Sequence, residues 1–129
     1  MAYQKDNQSW IETFRHALEG CLWAFRTQKN FKIHFVISLL VLILGWWLNI
    51  EPAKFLILIL AIVFGLTIEM ANTAFEKTVD LITEEHNLKA KIVKDLSAGM
   101  MLLLAIGLAI LGLLILFPPF IANVIRYIS

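Results

Sequence analysis

Three long apolar runs organise this chain. Residues 33–50, IHFVISLLVLILGWWLNI, close on paired tryptophans, whose amphipathic rings favour the headgroup boundary, so the run reads as a membrane span ending at an interface. Residues 53–68, AKFLILILAIVFGLTI, form a second run. That run is shorter than the roughly 20 residues a helix needs to cross hydrocarbon. It reaches that length only if the helix continues through EMANTAFEKTVD, residues 69–80, which no Pro or Gly interrupts. A third run, residues 96–125, is broken by Pro118 and Pro119, so its dependable span ends at Phe117. Ahead of all three, SWIETFRHALEGCLWAF places Trp10, Ile11, Phe14, Leu18, Leu22 and Phe25 at approximate i, i+3 or i+4 steps. That spacing predicts an amphipathic helix, lying on the membrane surface or packed against the spans. The pattern predicts an all-α membrane protein, a single domain over 1–129. Its amphipathic helix covers about 9–28 and its spans about 32–50, 53–82 and 92–117.

Composition agrees: 60% of the 129 residues are hydrophobic and the mean hydropathy is +0.78, far from soluble composition. A net charge of +1 provides no global field for recruiting nucleic acid. The lone Cys21 rules out an intrachain disulfide or a CxxC site. Asp6, Glu12 and Glu19 in the first thirty residues argue against a cleavable signal peptide, so the N-terminus is expected to be retained. Lys5, Arg15, Arg26, Lys29 and Lys32 precede the first span, and Lys77, Lys89, Lys91 and Lys94 follow the second. The positive-inside rule therefore places both regions in the cytoplasm, with Glu51-Pro52 as an external turn.

The chemistry concentrates at the end of the second span. At 3.6 residues per turn, Glu69, Asn72, Glu76 and Asp80 fall within about 80° of one another, on one helical face. A solvated helix scatters its charges; this one aligns three carboxylates and an amide from the edge of hydrocarbon outward, where an unpaired ion costs at least about 2.5 kcal/mol. Glu76 and Asp80 could instead be surface residues and Asn72 an interhelical hydrogen bonder, but Glu69 directly follows Leu66, Thr67 and Ile68. Lys94 and Asp95, in KDLSAG at the start of the third span, reach the same depth if the two helices run antiparallel. Carboxylates that hold Mg²⁺ with few protein ligands, a lysine for phosphate charge and one further carboxylate to take a hydroxyl proton are the parts of phosphoryl transfer. No GxxxxGK[ST] or protein-kinase glycine loop accompanies them. His16, His34 and His86 are too dispersed for a metal-ligand pattern.

The segment EMANTAFEKTVDLITEEH followed by AKIVKDLSAG resembles the small prokaryotic lipid kinases, the diacylglycerol kinase and undecaprenol kinase family, in its pattern E-x-x-N-[ST]-A-x-E-x-x-x-D and a later K-D pair. The resemblance covers nearly the whole chain, and TAFEKTVDLITEEH with NFKIH is closer to the Gram-positive undecaprenol kinase branch. It implies ATP-dependent phosphorylation of a membrane lipid hydroxyl, with undecaprenol or diacylglycerol as substrate and Mg²⁺ as cofactor, in a homotrimer of the bacterial inner membrane whose sites are shared between neighbours. By the same resemblance Glu69 is the general base, with Asn72 beside it, and Glu76 holds Mg²⁺. Asp80, Glu85, Lys94 and Asp95 line the nucleotide site, and Glu69 and Ala98 meet the lipid. Two positions depart from the family. Gln28 stands where a metal-binding Glu is usual, and an amide is the weaker Mg²⁺ ligand; His86 and Asn87 stand where Tyr-His is common. Two other classes frame this expectation. A proton-coupled transporter would place its ionisable groups near the bilayer midplane, and a non-catalytic membrane adaptor would tolerate Glu76→Gln and Asp95→Asn.

Overall fold

The computed structural model describes residues 9–83 and 87–128. Among them are four helices in chain order: α1 Trp10–Thr27, α2 Lys29–Trp47, α3 Pro52–Ile82 and α4 Leu88–Ile128. The last three are long and apolar enough to cross a membrane. This is the predicted all-α architecture, and α1 is the predicted amphipathic helix.

Local chemistry sets most of the helix ends. Ser9 and Glu12 form a capping box at the start of α1: the Ser9 hydroxyl accepts from the Ile11 amide, and the Glu12 carboxylate accepts from the Ser9 amide at 3.1 Å. Gln28 has extended backbone and both ends α1 and begins α2. α2 stops at Trp47, three residues before the apolar run does, because Asn49 turns left-handed at φ 48°. The Asn49 amide then donates to the Trp46 carbonyl and the Ile50 amide to the Gly45 carbonyl, the paired bonds of a Schellman motif. A side chain on Gly45 would crowd this turn, since a Cβ there would lie 3.2 Å from Ile50 Cδ1. Pro52 opens α3 at a position whose amide needs no partner.

α3 is 31 residues long, roughly 46 Å against a hydrocarbon core of about 30 Å. Residues 52–71 suffice for the crossing, so the remainder, including Glu76 and Asp80, projects past the core. α4 corrects the expected stop at residue 117: Pro118 and Pro119 lie inside the helix, which runs on to Ile128. A proline withdraws one amide and crowds the carbonyl four residues back, but membrane helices accommodate such gaps when the flanking turns stay bonded.

α3 packs between α2 and α4, and α1 leans on α2. Phe25 and Phe35 meet edge-to-face with ring centroids 5.3 Å apart. Few apolar side chains are buried within the chain, among them Ala24, Phe31, Leu58, Val79 and Ile115. Many leucines and isoleucines of the spans are exposed on the single chain. On α1, Trp10, Phe14 and Leu18 stay exposed while Ala24 is buried, so this helix offers its first turns to a membrane surface and packs its last turn on the bundle.

Candidate active site at the polar end of α3

The predicted polar stripe is a gradient of enclosure. Glu69 is 3% exposed and Asn72 6%, Glu76 is half-buried, and Asp80 is exposed. The Glu69 carboxylate stands at the enclosed end of this gradient. Its electrostatic neighbours are His34 of α2 and Glu76, about two turns on. One turn along, Asn72 Nδ2 donates to Glu76 Oε1 at 3.2 Å. From across the helix pair, the buried Ser97 hydroxyl of α4 donates to Asn72 Oδ1. Further out, Lys94 Nζ donates to Asp80 Oδ1 at 2.7 Å, and Lys77 lies 3.9 Å from the other Asp80 oxygen. The hydrogen bond from Lys94 holds the Asp80 carboxyl, which lies beyond the hydrocarbon core, below the usual carboxylate range.

Antiparallel packing of α3 and α4 therefore brings Lys94 to the stripe, as the spacing requires. Asp95, the next residue, faces another way: it is exposed and paired with Lys91 one turn back on α4. Ala98 is exposed beside the buried Ser97. Gln28 is half-buried at the α1–α2 junction, where its side-chain amide donates to Thr27 Oγ1 at 3.0 Å. Glu85 and His86 lie outside the described residues. Asn87 accepts from the Lys89 amide at 2.8 Å and so serves the first turn of α4.

Two hollows adjoin the stripe. A cleft of about 640 Å³ runs between α2, α3 and α4, with His34, Ser38, Leu66 and Met101 at the end near Glu69 and Leu58 and Phe120 at the other. From Met101 to Phe120 it extends roughly 28 Å, nearly the depth of a leaflet pair. A second hollow of about 520 Å³ lies between α1 and α3, lined by Trp23, Ala24, Thr73, Lys77 and Asp80.

Among the described residues no three of His, Cys, Asp and Glu converge on a point where they could hold a metal ion. The donor set fits a different mode of binding, in which one carboxylate contacts Mg²⁺ and phosphate oxygens and water complete the shell. Glu76 is placed for this, half-buried at the exit from hydrocarbon with its orientation fixed by Asn72.

A buried carboxylate at the polar mouth of a lipid-depth cleft, with half-buried and exposed polar groups leading outward, is an arrangement suited to chemistry on a lipid headgroup. Comparison with known proteins decides the family. The profile described as prokaryotic diacylglycerol kinase matches residues 15–116. The chain belongs to the prokaryotic diacylglycerol kinase family. It is 35% identical to the undecaprenol kinase of Bacillus subtilis (strain 168) over 116 residues, covering 90% of this chain and 94% of that protein. It is 37% identical to a diacylglycerol kinase of Synechocystis over 110 residues, 84% of this chain and 63% of that protein. A diacylglycerol kinase of Pseudomonas aeruginosa is 26% identical over 84 residues, 65% of this chain and 68% of that protein. This member of the family is a membrane-embedded lipid kinase that uses ATP as co-substrate. Two of its polar neighbours escape a reading of helical spacing. Ser97 and His34 sit on other helices than the stripe, and only the packing of α4 and α2 against α3 brings them to it.

Proposed function

We propose that this kinase phosphorylates the primary hydroxyl of undecaprenol, with its N-terminus and active site on the cytoplasmic face of the bacterial inner membrane. The observation that carries the reading is the position of Glu69, enclosed at 3% exposure. It stands near the mouth of an apolar cleft deep enough for a long hydrocarbon tail. The 94% coverage of the Bacillus undecaprenol kinase supports the choice of polyprenol.

In this reading the lipid hydroxyl gives its proton to Glu69 as its oxygen bonds to the γ-phosphorus of ATP and the bond to the β,γ-bridging oxygen breaks, releasing ADP. Asn72 holds Glu76 toward the nucleotide. Glu76 would hold Mg²⁺, which when bound neutralises phosphate charge, and Gln28 is the candidate for a second, weaker contact. Lys94, Asp95, Asp80 and Glu85 form the nucleotide side of the site, and Ala98 meets the lipid. Asp95 faces away from the stripe of its own chain, which favours a homotrimer with sites shared between protomers.

Diacylglycerol is the second reading, favoured by the name of the Synechocystis relative. Both lipids present a primary hydroxyl at the interface, and nothing in the polar stripe distinguishes their tails. Purified protein supplied with Mg²⁺, γ-labelled ATP and either lipid separates them: faster labelling of undecaprenol is expected. Faster labelling of diacylglycerol reverses the substrate choice, and label in neither lipid removes both substrates.

A further inference from the structure

Ser97 is 2% exposed, the most enclosed polar side chain of the described residues, and no role in binding or catalysis has so far fallen to it. From the hydrogen-bond chain it completes we infer that Ser97 is a positioning residue, which fixes the Asn72 amide and through it aims the Glu76 carboxylate at the nucleotide.

The polarity of the chain leaves one consistent arrangement. An ionised carboxylate only accepts hydrogen bonds, so Glu76 requires the amino side of the Asn72 amide, and Nδ2 lies 3.2 Å from Oε1. The amide oxygen then faces α4 and requires a donor. The Ser97 hydroxyl is that donor, directed at Oδ1 across the helix pair. The terminal torsion of asparagine is broad and nearly two-fold, so local sterics alone would not hold the amide this way round. With Asn72 at 6% exposure, bulk water is poorly placed to replace the hydroxyl. Remove the hydroxyl, and Oδ1 is left enclosed without its donor, so the amide loses the anchor that holds Nδ2 against Glu76. The metal-facing carboxylate then loses its fixed direction. Ser97 touches neither nucleotide nor lipid in this account.

The inference rests on the reading of Glu76 as the nucleotide-facing group, so its test separates the two. Ser97→Ala is expected to raise the KM for MgATP by about tenfold, the lower end of what loss of an outer-shell partner costs, with the KM for lipid unchanged. Nuclear magnetic resonance of the Asn72 side-chain amide in micelles, without nucleotide, reports the hydrogen bonds directly. Two resolved, slowly exchanging protons are expected in the parent, and a shifted or broadened pair in Ser97→Ala. An unaltered amide signal overturns the inference, whatever the kinetics. An altered signal with unchanged KM for MgATP leaves Ser97 orienting Asn72 but overturns the aiming of Glu76 at nucleotide. Should Ser97→Ala not assemble, Ser97→Cys, close in size with a weaker donor, carries the same two measurements.

Discussion

Glu69 illustrates why burial and role go together at the scale of single residues. A carboxylate this enclosed beside hydrocarbon is expensive to retain as scaffolding. It is economical as a group that meets a substrate proton. Glu69→Gln keeps the volume and removes the proposed base. Turnover should fall by roughly 10²-fold or more, the range general-base loss produces, while MgATP affinity measured by equilibrium binding stays close to the parent. Retained turnover would assign the base elsewhere. Lys94 lies at the opposite extreme. Its bond to Asp80 is short, but both side chains are about half exposed, and such pairs contribute little to stability. Because Lys94 depresses the Asp80 carboxyl, the pair is intact above the ordinary carboxylate pKa of about 4 and is lost as pH falls through the lowered folded value. Lys94→Met should therefore leave the thermal unfolding midpoint nearly in place at neutral pH and raise the KM for MgATP, and a large drop in the midpoint would show that the pair holds the helices together. The stripe itself was legible from spacing, because i, i+3 and i+4 positions share a helical face whatever lies opposite. The partners of that face were not: Ser97 and His34 reach it only through the rotation of α4 and α2 about their own axes.

Between residues and fold, the elements are decided largely by their ends. The turn from α2 to α3 depends on Asn49, which adopts φ 48° with its neighbours bonded back to Trp46 and Gly45. Left-handed backbone costs an L-residue roughly 1–2 kcal/mol; asparagine tolerates it and a β-branched residue does not. Asn49→Val should lower stability by about that amount and Asn49→Gly should match or exceed the parent, as read by thermal unfolding in micelles. Equal midpoints for the two variants would mean the turn relaxes to another conformation. Hydropathy located all three spans, since about 20 apolar residues in sequence have few other uses. It misjudged their ends for physical reasons that differ at each place. The apolar run of the first span continues to Ile50, but the helix stops at Trp47 because backbone hydrogen bonds, not hydrophobicity, close a Schellman turn. At the far end of α4 the paired prolines remove two donors, yet the helix continues, because hydrocarbon penalises open backbone more heavily than it penalises a locally weakened turn.

Across the whole molecule, little surface of the spans is buried by the chain's own packing, and polar groups at one membrane face are only partly gathered. Within one protomer α3 contributes Glu69, Asn72 and Glu76, and α4 contributes Ser97 and Lys94, while Asp95 faces away and pairs with Lys91. If the proposed homotrimer is cyclic, each α4 can present its outward Asp95 to the α3 stripe of the next protomer, a head-to-tail contact that closes after three copies. Mixing inactive chains tests this without a structure of the assembly. On the proposed roles, Glu76→Gln disables the α3 side of a site and Asp95→Asn the α4 side. When the two variants are unfolded, combined in equal amounts and refolded, a site is intact only where an Asp95→Asn protomer supplies α3 and a Glu76→Gln neighbour supplies α4. Random assembly into cyclic trimers makes that about one site in four, so close to a quarter of parent activity should return. Sites contained within single protomers would return none, because every protomer then carries one lesion. Each variant refolded alone must also stay inactive, and mixing after refolding should restore activity only as fast as trimers exchange subunits.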